Sequence, residues 1–134
     1  MNRVVKGLQK LGLRTGPAMV LTVPGRKSGR LRSTPMTPFE FQGGLYTVAG
    51  FPRADWALNA RAAGAGTLSH GRESRPVKIV ELSTQQARPV LRAFPTEVPI
   101  GVGFGKRTGL VREGTPDEFE ALAGRIPVFR LDPG

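Results

Sequence analysis

Residues 20–38, VLTVPGRKSGRLRSTPMTP, set the strongest limit on what this chain can fold into. An apolar strand runs into a glycine-bounded basic turn, Gly25-Arg26-Lys27-Ser28-Gly29, and a second strand leaves through Arg30, Arg32 and Thr34. A strand, a glycine-bounded turn and a returning strand predict a hairpin, and so an antiparallel pair. Pro35 and Pro38 have no N–H to give to a ladder. That places the returning strand at a sheet edge, at a bulge, or where a ligand takes up the space. The two glycines let the turn be tight with its amides facing outward. Arginine as a planar fork, lysine as a point charge and the Ser28 hydroxyl then suit a phosphate or a carboxylate. The same residues also suit a solvated basic hairpin tip.

The charge is uneven in a way that bears on that choice. The net charge is +10 over 134 residues, and no acidic residue precedes Glu40. Arg3, Lys6, Lys10, Arg14, Arg26, Lys27, Arg30 and Arg32 all fall in that acid-free stretch. Such a balance implies an anionic partner: nucleic acid, an anionic membrane or a multiply charged small molecule. Readers of single-stranded nucleic acid interleave aromatics with their basic residues. This chain has one Trp and one Tyr, so a small nucleic-acid-binding barrel is the weaker reading and no nucleic acid is expected. There is no cysteine, which excludes disulfides, thiolate nucleophiles and cysteine-ligated metal centres. No apolar run approaches the roughly 20 residues of a membrane span. The basic N-terminus lacks the continuous apolar region of a signal peptide. A single cytoplasmic domain over residues 1–134 is expected.

Along the chain, Val4, Val5, Leu8 and Leu11 stand at helical spacing, with Lys6 and Lys10 on another face. The resulting amphipathic helix, within residues 1–14, packs over the sheet, closes over a ligand or touches an anionic membrane. Strands are expected over residues 18–23, 33–41 and 45–50, and a helix from Ala54 or Asp55 to near Gly64. Residues 67–71 and 75–82 read as a hairpin. Ser83-Thr84-Gln85-Gln86 has the pattern of a capping box, opening a helix toward Phe94 that Pro89 should kink or shorten. Residues 95–114, PTEVPIGVGFGKRTGLVREG, read as a flexible glycine loop suited to covering a site. Thr115-Pro116-Asp117-Glu118 opens another helix, and residues 125–131 form a closing strand. Six or seven strands without βαβ repetition predict a mostly β, α+β fold: a small antiparallel split barrel with inserted and flanking helices.

Side chains for catalysis are sparse. Gly101-Val102-Gly103-Phe104-Gly105-Lys106 fits neither the P-loop nor the dinucleotide fingerprint. His70 is the single histidine and reads as a surface strand residue, so no metal site is expected. No paired carboxylates stand out, and Trp56 suits a helix core. No catalytic residue can be named. A cationic cradle with few reactive groups suits a cofactor that carries the chemistry itself.

Four stretches then resemble the deazaflavin-dependent nitroreductases of actinobacteria. They are Leu21-Thr22-Val23-Pro24-Gly25-Arg26-Lys27-Ser28-Gly29 continuing through Arg32 and Pro35; Val48-Ala49-Gly50; Asp55-Trp56-Ala57-Leu58-Asn59; and Arg125-Ile126-Pro127-Val128-Phe129. The resemblance implies a split barrel that binds coenzyme F420, whose tail carries a phosphate and several glutamates. Flavin mononucleotide is the alternative, since the turn would take a single phosphate too. By resemblance, Arg26, Lys27 and Ser28 hold the phosphate and tail with Arg32 assisting. Thr34, Pro35 and Met36 border the deazaflavin ring, Ala49 and Gly50 bring backbone close to it, and Trp56 with Asn59 flanks its other side. The implied activity is hydride transfer to an electron-poor acceptor: an activated alkene, a quinone or a nitro compound. Nitro-drug-reducing members carry tyrosines after the late helix where this chain reads Phe94-Pro95-Thr96-Glu97. Phe51, Phe94 and Phe104 are therefore expected to line a more apolar pocket. Residues 95–114 have no counterpart in the family pattern. The protein would be a monomer or a homodimer.

Overall fold

The computed structural model describes residues 19–134, so the helix expected within residues 1–14 lies outside the described residues. Among the described residues seven strands are present: β1 Met19–Pro24, β2 Leu31–Met36, β3 Phe39–Phe41, β4 Gly44–Val48, β5 Ala65–His70, β6 Glu73–Glu81 and β7 Val128–Pro133. Four helices are α1 Asp55–Ala63, α2 Thr84–Glu97, α3 Pro99–Arg107 and α4 Pro116–Glu120. All strand pairs are antiparallel, in the order β2-β1-β5-β6-β7-β4-β3. The two edges, β2 and β3, are joined by Thr37 and Pro38 alone. A sheet whose opposite edges are two residues apart along the chain must curl until they meet at that corner. This is the split barrel expected from the sequence.

The single strand expected over residues 33–41 is therefore two strands. Pro38 cannot donate to a ladder and restricts Thr37 before it, so pairing stops and the chain crosses from one edge to the other. Pro35 sits in β2 opposite Val20, on an edge strand where a missing donor is tolerated. The β1–β2 turn is closed by the Gly25 amide donating to the Arg30 carbonyl at 2.7 Å and the Gly29 amide to the Gly25 carbonyl at 2.9 Å. Gly29 has φ +77°, a conformation that favours glycine.

Alternation along the strands feeds two cores. Met19, Leu21 and Val23 of β1 pack with Leu68, Val77, Ile79 and Phe129, and α1 adds Ala57 and Ala60. Phe39, Val90, Leu91, Val98, Phe119 and Val128 form the second core, against α2, α3 and α4. Phe129 and Val128 are neighbours on β7 but serve different cores, because successive strand residues point to opposite faces.

The helices begin where sequence signals place them. Ser83 and Thr115 each form a complete capping box, with Gln86 and Glu118 respectively. Two readings change. First, of the kink or shortening expected at Pro89, the shortening does not occur: α2 runs 14 residues with Pro89 and Pro95 inside. Pro89 lies on the exposed side, and the buried Ala87, Val90 and Leu91 hold the helix where one backbone bond is missing. Second, residues 95–114 are no glycine loop: α3 occupies their middle, with Pro99 in its first turn. Glycine costs a helix about 1 kcal/mol relative to alanine. Here it permits close packing instead. A Cβ on Gly101 would sit 2.3 Å from the Phe94 ring, and one on Gly105 would sit 3.1 Å from Val111. No helix among the described residues is long and apolar enough to cross a membrane.

Helix α1 is fixed to the basic turn by one buried side chain. The Asn59 Oδ1, with its residue 7% exposed, accepts from the Arg26 amide at 3.1 Å and from the Arg26 guanidinium at 2.7 Å. Asp55 pairs with the same guanidinium at 3.3 Å. Asn59→Ala should remove the acceptor of the part-buried Arg26 amide and cost about 1 kcal/mol, measured as a shift of the urea midpoint. The loop before α4 depends on Glu118 in a similar way. Its carboxylate accepts from the amides of Arg112 at 2.6 Å, Gly114 at 2.7 Å, Glu113 at 3.0 Å and Thr115 at 3.2 Å. These amides, that of Arg112 foremost, lower its pKa from 4.5 to about 2. A lowered pKa means a contribution fully present above the unfolded value and lost as pH falls through the folded one. Glu118→Gln should therefore melt a few degrees lower than wild type at pH 7, and the gap should close between pH 4.5 and 2 in thermal scans.

Candidate functional site

Two hollows meet on one side of the barrel. The first, about 590 Å³, is built on the basic turn: Arg26, Lys27 and Ser28, then Arg32 and Thr34 from β2, closed by Asp55, Trp56 and Asn59 of α1. The second, about 430 Å³, is an apolar slot between the barrel and α3. Pro35 and Met36 of β2, and Ala49 and Gly50 after β4, form one side of it, and Phe51, Phe94 and Phe104 form another. Trp56 lines both hollows, and the Thr34–Pro35 step of β2 carries the wall from one to the other. The structure thus brings together every residue singled out from the sequence for cofactor or acceptor.

Within the basic hollow the cations differ in freedom. Arg26 is committed to α1 through Asn59 and Asp55. Lys27 and Arg32 make no side-chain hydrogen bond or ion pair among the described residues. Ser28 Oγ accepts from the Arg30 amide at 3.2 Å, which fixes the hydroxyl and leaves its proton to be donated. Asn59 lines the hollow beside Trp56 and also holds the turn through its oxygen.

The slot is walled by rings in fixed contact. Phe51 and Phe104 meet edge to face with centroids 5.5 Å apart, and Phe94 packs on Phe119 at 5.2 Å. Trp56 leans on Phe129 at 5.6 Å, so its ring is anchored to the first core and also faces the site. Phe104 lies so close to Gly50 that a Cβ there would be 2.5 Å from its ring, so the ring packs directly on the Gly50 backbone. Thr47 Oγ1, buried in the slot, donates only to the Met36 sulfur, at 3.6 Å. Val98, Ile100, Arg107 and Ile126 also line the slot and were not singled out from the sequence. Three of them lie in or beside α3, whose helical fold the glycines concealed. His70 lines neither hollow. No cluster of metal-ligating side chains occurs among the described residues.

The chain matches a family model described as F420H(2)-dependent quinone reductase over residues 2–113. That span includes most of residues 95–114, where the sequence pattern showed no counterpart. No curated protein matches. Solved structures share the fold at low identity. One described as a domain-swapped dimer is 21% identical, with 91% of this chain and 84% of that one covered and a TM-score of 0.60. One described as an F420-H2 dependent reductase is 22% identical, covering 90% and 100%, with a TM-score of 0.59. A FAD-binding protein from Mesorhizobium loti is 15% identical, covering 97% and 88%, with a TM-score of 0.54. Since the family model spans residues 2–113 of 134, the chain belongs to the F420H(2)-dependent quinone reductases and is an oxidoreductase whose cofactor is coenzyme F420.

Proposed function

We propose that the basic hollow holds the phosphate and glutamate tail of coenzyme F420, and that the apolar slot holds its ring and, beyond it, an electron-poor organic acceptor. The observation that carries this reading is the junction at Trp56 of a cationic hollow with an apolar slot. A ligand with a polyanionic tail and a flat, largely apolar head matches both parts. Unpaired Lys27 and Arg32 meet the tail, and the Arg26 and Ser28 contacts hold the turn in a receptive shape. Thr34, Pro35, Met36, Ala49, Gly50 and Trp56 border the ring, and Phe51, Phe94 and Phe104 the acceptor.

The reduced cofactor supplies a hydride, and an activated alkene, a quinone or a nitro compound would take it. The chain's own part is to orient the reactants and to exclude water. Among the described residues no acid and no histidine lines the slot, so the acceptor's proton is assigned to solvent. Assembly as a homodimer belongs to the same reading, supported by the similar fold described as a domain-swapped dimer. So do a cytoplasmic location and contact of residues 1–14 with an anionic membrane.

The test is a calorimetric titration with oxidised coenzyme F420, and with flavin mononucleotide beside it. Wild type should prefer the deazaflavin. Lys27→Ala should weaken its binding by about tenfold, with an unchanged melting curve. Equal or tighter flavin binding would move the site to that cofactor, and binding of neither would overturn the assignment.

A further inference from the structure

The apolar slot has one charged wall residue among those described, Arg107, the last residue of α3. Its neighbour Lys106 does not line the slot. Arg107 makes no side-chain hydrogen bond or ion pair among the described residues. Its guanidinium folds back along the helix, with Nη1 3.2 Å from where a Cβ on Gly103 would stand. The helix that carries it is held against the body of the protein, since Gly101 abuts the Phe94 ring and Gly105 abuts Val111. Arg107 is thus an exposed, unpaired cation on a held helix at an apolar rim.

An exposed guanidinium is screened by water until a ligand fills the space beside it. A flat apolar ligand in the slot would displace that water from one side. An anionic oxygen on the ligand would then meet a planar fork suited to a carboxylate. Resting on the reading of the slot as the acceptor site, we propose that Arg107 is a specificity-determining residue. It selects flat apolar acceptors that carry a carboxylate, or another ionised oxygen, at the end facing α3.

The probes are 2-naphthoate and its neutral isostere 2-naphthamide. They are titrated by calorimetry at pH 7.5 into the protein saturated with oxidised coenzyme F420, and again into the protein alone. Wild type should bind naphthoate about tenfold more tightly than naphthamide. Arg107→Gln should abolish that preference with naphthamide affinity unchanged, and Arg107→Lys should keep part of it. Lys106→Gln, which removes the same charge one residue away, should retain it. A preference that survives Arg107→Gln, or is lost equally in Lys106→Gln, would overturn the proposal in favour of a general positive field. Equal binding of the two probes by wild type, or binding of neither, would also overturn it. Cofactor saturation is measured first, so a failed cofactor assignment shows there, while the titrations without cofactor still decide the role of Arg107.

Discussion

The structure depends on the two-residue link between β2 and β3. Thr37 and Pro38 join strands at opposite edges of a seven-stranded sheet, so the sheet cannot lie flat. Curling brings the inner residues of β1, β5, β6 and β7 into one core and leaves the outer face of β7 and β4 to the helices. It also brings Pro35 and Met36, at the end of β2, to the same slot as Ala49 and Gly50 after β4. The slot lies beside that corner, between the barrel and α3. A pair of residues with poor strand character therefore both closes the barrel and opens the site.

The distribution of charge follows from where the acids lie. Glu81 holds Arg61, Asp117 and Glu120 hold Arg92, and Asp132 holds Arg130. Exposed pairs of this kind contribute between zero and about 1 kcal/mol each, so they are weak determinants of stability. Their effect on the surface is larger. They occupy four acids of the later part of the chain, and at the basic turn Asp55 pairs with Arg26. The turn keeps a positive field because the sequence before Glu40 has no acid and the fold brings few to it.

What the sequence shows, and what it conceals, follows from the range of each signal. The hairpin around Gly25 and Gly29, both capping boxes and α1 rest on local chemistry within a few residues, and all stand where that chemistry puts them. Trp56 and the three phenylalanines were legible through family resemblance combined with their apolar character, and all line the slot. What it conceals involves partners far along the chain. Gly101 stands in a helix where the Phe94 ring fills the space a side chain would need. Residues 33–41 break in two because their halves belong to different sheet edges. Asn59 supports the turn through a contact spanning 33 positions, which no spacing rule reveals.

The adjacency of Val128 and Phe129 on β7 carries a consequence for how reliably this chain finds its fold. A one-residue slip of β7 would invert its faces, turning a phenylalanine toward the helices and a valine toward the barrel. Most strands that slip expose one apolar set to water, and a single core resists the error. Here both sides are packed, so a slipped register overfills one space and hollows the other together. Proofreading of strand alignment is thus shared by two cores. Its correct register is the one that fills both at once.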